Sequence, residues 1–125
     1  MKQPDNSPFH EGEQQLQAQA GVRESMEKFG RRVIRDHMPQ QHRDFYQQLP
    51  FVVAAMVDQD GWPWASMLFG DKPGFIASPD ERSLTFDIRD VPGDPVRSAV
   101  KKGAAIGLLG IELHSRRRNR LAARV

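Results

Sequence analysis

Two periodicities divide the chain. Up to Pro50, apolar residues recur three or four apart: Leu16, Ala20, Met26, Phe29, Val33, Ile34 and Met38, with a break around Gly21. That spacing predicts helices over about 11–20 and 22–36. Pro39 ends the second, because proline lacks an amide hydrogen and restricts the residue before it. A third, shorter helix is expected over about 40–48, with Phe45, Leu49 and His42 on one side and Pro50 as its stop. Met26, Phe29, Val33 and Ile34 form the expected buried stripe of this helical arm. Residues 1–10, with Pro4, Asn6 and Pro8, read as a loose lead-in.

From Phe51 the pattern changes. FVVAAMVD is a continuous apolar run rich in β-branched residues, which predicts a central, covered strand. Asp60-Gly61 reads as a two-residue hairpin turn into WPWASMLFG, where Pro63 is tolerable only at a strand start or an edge. GFIAS (74–78) and LTFDI (84–88) predict two short strands joined by the turn Pro79-Asp80. AAIGLLGIEL (104–113) is a fifth strand and RNRLAARV (118–125) a sixth. One helix interrupts them at 93–103. Asp94 is its N-cap, Pro95 takes the first helical position, and Gly103 is suited to a left-handed cap. The expected fold is mainly β, a small antiparallel barrel or sandwich of six strands at 51–125, with the helical arm of residues 1–50 packed on it. The last strand-like run reaches Val125, so a longer polypeptide or a partner subunit is expected to complete the barrel.

Composition narrows the function classes. The chain has 125 residues, 38% hydrophobic and 27% charged, which excludes a coiled coil, a collagen repeat and a fully disordered chain. The first fifteen residues lack the apolar stretch of a signal peptide, and no apolar run has membrane-span length, so a cytoplasmic protein without membrane contact is expected. With no cysteine, disulfides, thiolate nucleophiles and zinc-thiolate sites are excluded. The net charge of +2 hides an asymmetry: residues 51–100 hold 8 acidic and 4 basic groups, residues 101–125 hold 1 acidic and 7 basic. The C-terminal segment is therefore expected to meet an anion.

Catalytic constellations are mostly absent. His10, His37, His42 and His114 are scattered, and surface or capping roles fit them. Ser25, Ser66, Ser78 and Ser115 lack a nucleophile elbow, Asp58 and Asp60 fit turn formation, and no Gly-rich phosphate loop occurs. Any redox chemistry would come from a cofactor. Three segments remain. Ala65 and Ser66 are small residues in a bulky strand, which would let a flat ligand lie on the backbone or would merely relieve crowding. Gly93 and Arg89 flank a helix start that could face a phosphate, although Asp94 as a carboxylate cap already takes those donors. In HSRRRNR, strand alternation sends Arg116, Arg118 and Arg120 to one face and Arg117 and Asn119 to the other, a basic set suited to one compact anion. A nucleic acid is the rival partner, but the chain lacks a basic stripe or interleaved exposed aromatics.

The order FVVAAMVDQDGWPWASMLFG, PGFIASPDERSLTFDI, PGDPVRSAVKKGAAIGLLGIEL and SRRRNRLAARV resembles the FMN-binding split-barrel proteins related to pyridoxamine 5′-phosphate oxidase, over about residues 7–121. The resemblance implies an antiparallel split barrel, a homodimer, and FMN in a cleft between subunits. It implies that Ala65, Ser66 and Met67 lie along the isoalloxazine. Asp87 and Arg89 would stand on the ribityl and phosphate side, and Gly93 would open the helix facing the phosphate. Arg118, Asn119 and Arg120 match the family's Arg-rich strand, which continues here into Ala122-Ala123 where the family has Asn-Gly. The implied activity is a flavin-dependent oxidoreductase, with a small molecule or a second redox module as electron partner and no catalytic side chain identified. The alternatives are a non-catalytic flavin- or anion-binding dimerisation module and nucleic-acid binding through the Arg cluster.

Overall fold

A computed structural model of the chain describes residues 6–125 and divides it into two compact units, Met1–His37 and Met38–Val125. The division falls before the third helix, which shares a core with the sheet. Pro4 and the rest of residues 1–5 lie outside the described residues.

In the first unit, α1 (Glu11–Gln19) and α2 (Arg23–Val33) are joined through Gly21. Residues 7–10 are pinned, contrary to their reading as part of a loose lead-in. His10 forms a reciprocal capping box with Glu13, and the Ser7 hydroxyl donates to Glu27 at 2.6 Å. Glu27 also meets the Arg23 guanidinium at 2.6 Å and that of Arg31 at 2.7 Å. The Ser7 hydrogen bond and these guanidiniums hold its carboxyl below the ordinary range. The expected apolar stripe is not buried. Phe29 is 58% exposed and Val33 and Ile34 about half exposed; α2 ends at Val33, short of the expected boundary, and Ile34 turns extended. Phe29→Ala is therefore expected to change stability by no more than about 0.5 kcal/mol in a urea melt, the size of an ordinary surface substitution.

The second unit is a mixed helix and antiparallel-sheet structure. Its elements are α3 (Gln40–Gln48), β1 (Phe51–Val57), β2 (Pro63–Phe69), β3 (Ile76–Asp80), β4 (Ser83–Phe86), α4 (Pro95–Ala99), β5 (Ala105–Glu112) and β6 (Arg117–Arg124). Six strands are thus present among the described residues, but not as a closed barrel. Four form one sheet in the order β2-β1-β5-β6, and β3-β4 is a separate hairpin.

Direct cross-strand partners share a face, so the register sorts the side chains. Val52, Ala54, Met56 and Leu108 point inward and are buried. Phe45, Tyr46 and Leu49 from α3, with Phe75 and Ile76, cover one end of this inner face. Val96 and Ala99 from α4 cover Met56 at the other. A Cβ at Gly110 would stand 3.0 Å from Leu49, Phe45 and Tyr46, so the missing side chain is what lets α3 approach β5. Tyr46 is fully buried, and its hydroxyl donates to the Asn119 Oδ1 at 2.9 Å. Burial pushes its phenol up to about 12.

Several expected boundaries shift for identifiable reasons. The β1–β2 loop spans 58–62 and is not a two-residue turn. The Asp58 carboxylate accepts from the amides of Asp60 and Trp62 at 2.9 Å and from the Trp64 indole at 2.8 Å, and Gly61 takes φ +86°. Pro79 and Asp80 lie inside β3 beside an irregularity in its pairing, and the turn follows at 81–82. The helix expected at 93–103 is only Pro95–Ala99. Asp94 caps it through the Val96 amide as expected, but Val100 is extended and Gly103 lies in the loop beyond, its amide donating to the Val125 carbonyl.

Asp58 is expected to make the hairpin pH-sensitive. The amide of Trp62, the Trp64 indole and neighbouring amides favour its charged form and hold its carboxyl below the ordinary range. A group depressed in the folded state adds stability above its unfolded pKa, near 4, and loses it as pH falls through the folded value. The stability gap between wild type and Asp58→Ala should therefore be widest at neutral pH and close below about pH 4, read by urea melts followed through Trp fluorescence. A gap that persists unchanged in acid would show that the charge is not what holds the turn.

Candidate functional site

The outer face of the four-stranded sheet departs most from expectation. β1 is central, as its composition indicates, yet it is covered on one side only: Ala55 and Val57 are exposed and Val53 is partly so. Across the sheet the register aligns Met67, Val53, Leu109 and Arg120 in one row. The next row is Ala65, Ala55, Gly107 and Ala122, a flat strip of small side chains. Ala65 and Ala122 are exposed, and Met67 is 54% exposed. Arg118 stands two residues from Arg120 and shares its face.

The expected site residues fall into three groups. Ala65 and Met67 lie on the outer face at the β2 edge, and Arg118 and Arg120 on the same face at the β6 edge, about 14 Å away across three strand spacings. Ser66 and Asn119 point to the inner face. The Ser66 hydroxyl donates to the Asp94 carboxylate at 2.5 Å, tying β2 to the cap of α4, and Asn119 is engaged by Tyr46. Asp87, Arg89 and Gly93 belong to the segment that runs from the end of β4 back along β2. The Asp87 amide donates to the Phe75 carbonyl at 2.8 Å and the Arg89 amide to the Phe69 carbonyl at 2.7 Å. The Arg89 guanidinium lies 3.7 Å from the Asp71 carboxylate. Gly93 has φ +83° and open space where a side chain would be. Arg116 leaves the expected set: with φ 61° it sits in the turn before β6, outside the alternation.

The structure also gathers residues that strand reasoning left apart. A groove of about 220 Å³ between α3 and β6 is lined by Gln41, His42, Phe45, Arg117, Arg118 and Asn119. The Arg117 guanidinium carbon lies 4.7 Å from the Phe45 ring centre. No local signal predicts this, because the helix and strand are some seventy residues apart in sequence. Among the described residues no three His, Asp or Glu side chains come together as a metal site, and no helix is long and apolar enough to cross a membrane. The chain matches no family model, no curated protein and no solved structure.

Proposed function

We propose that the Met38–Val125 unit is a flavin-binding oxidoreductase module of the split-barrel type related to pyridoxamine 5′-phosphate oxidase, working as a homodimer. The observation that carries the reading is the outer sheet face, an exposed apolar surface with a flat strip of small residues across it and two guanidiniums, Arg118 and Arg120, on one border. A flat apolar surface suits an isoalloxazine ring, and paired guanidiniums suit a phosphate. The residue types present fit FMN: Ala65 and Met67 would lie toward the ring, Arg118 and Arg120 toward the phosphate, and the bound flavin would supply the electron chemistry. The exposed apolar face would be covered by a second copy, since a monomer rarely leaves so much of a sheet open. The electron donor and acceptor would be a small molecule or another redox module.

Purified protein should carry flavin absorption, or gain it on reconstitution with FMN, near one FMN per chain. Light scattering at micromolar concentration should give about twice the 14.2 kDa monomer mass. A well-folded protein that stays colourless and monomeric after reconstitution would overturn the reading.

A further inference from the structure

We propose that the groove between α3 and the free edge of β6 is a second site, one that binds a phosphate group, free or carried on a small ligand. Among the described residues no Asp or Glu lines this groove, and two guanidiniums do. The Arg117 guanidinium lies over the Phe45 ring, a cation–π contact that places it at the groove wall. Arg118 is exposed and has no carboxylate within ion-pair distance among the described residues. Asn119, on the groove wall, is held by the buried Tyr46 hydroxyl. Glu112 is the direct cross-strand partner of Arg117 and its charge senses that guanidinium, but its carboxylate is already engaged by Gln48 and Ser115 and does not line the groove. Two cations on a lining that has no carboxylate among the described residues favour a dianion over a monocarboxylate.

The groove is below the usual size of a cofactor pocket, about 300 Å³ and upward. It has room for about seven waters at their liquid volume, enough for a phosphate and part of its shell. It shares Arg118 with the border of the flavin surface but none of that surface's other residues, and because Gln41, His42, Phe45, Arg117 and Asn119 complete it, the proposal does not rest on flavin binding.

The test is a titration of the full chain with inorganic phosphate, followed by backbone amide chemical shifts. Parallel titrations use a small phosphate monoester, acetate, and chloride at matched ionic strength. Saturable shifts should concentrate at residues 41–42 and 117–119 with phosphate and be absent with chloride. Arg117→Gln should weaken binding about tenfold or more, the loss of one charged hydrogen bond. Gln41→Glu should do the same from an exposed helix position that removes no packing, so it carries the test if Arg117→Gln misfolds. Tighter binding of the monoester than of inorganic phosphate identifies a carried group, and equal binding identifies free phosphate. The proposal is overturned by shifts that scatter or fail to saturate, by acetate binding as well as phosphate, or by a Gln41→Glu protein that titrates like wild type.

Discussion

Gly70→Ala should cost about 3 kcal/mol or more, beyond what most overpacking substitutions cost. A Cβ at position 70 would stand 2.3 Å from the Phe75 Cβ and 2.8 Å from the Asp87 carbonyl oxygen. Neither neighbour can yield cheaply. Phe75 is 6% exposed and belongs to the main core, while Asp87 is held by the hydrogen bond its amide donates to the Phe75 carbonyl. Relieving the overlap means parting the end of β2 from the segment that follows β4, and with it the hydrogen bond from the Arg89 amide to the Phe69 carbonyl. For a unit of this size the melting temperature should fall by more than about 10 °C. A loss under about 1 kcal/mol would show that this junction gives freely.

Arg118→Ala and Arg120→Ala should each shrink the preference for FMN over riboflavin by ten- to a hundredfold, on the order of one charged hydrogen bond at about 1.5–3 kcal/mol. Riboflavin lacks the phosphate, so its own affinity should hardly move. Both side chains are exposed on an edge strand, so neither change removes core atoms and both proteins should remain folded. Competitive flavin titrations would show the ratio directly. If both variants keep the wild-type ratio, the phosphate is not held at this border. Tight oligonucleotide binding by wild type at physiological salt would instead favour nucleic acid, because non-specific phosphate contacts fade steeply with salt.

The order of helices and strands was legible because their signals are local: the Pro50 stop, the Asp94-Pro95 helix start, the β-branched run after Phe51. The sidedness of β1 was not. FVVAAMV is apolar at every position, and period-two alternation cannot be read where nothing alternates. The face of Ala55 and Val57 appears only once the register is known. Short α4 was misjudged because Lys101, Lys102 and Gly103 mimic a helix end, while the backbone has already turned extended at Val100. At the candidate site, alternation did place Arg118 and Arg120 together and Asn119 opposite. It could not show that Asn119 serves Tyr46, nor that Arg117 lies on Phe45, since both contacts join residues more than seventy apart.

The four-stranded sheet is made of two local hairpins, β1–β2 and β5–β6, sewn together by the pairing of β1 with β5, which spans only three residue pairs, Val53–Ala55 with Gly107–Leu109. The hairpins need only short loops, and such units form within microseconds. The seam must first close a chain segment of about fifty residues, so its entropy cost falls on the folding rate. Both rows of the outer face cross that seam. The apolar strip is therefore incomplete in either hairpin alone, and it meets its arginine border across the whole sheet only once the seam has closed. Half-folded chains would expose hairpin edges without yet offering the face that a second copy or a cofactor could recognise.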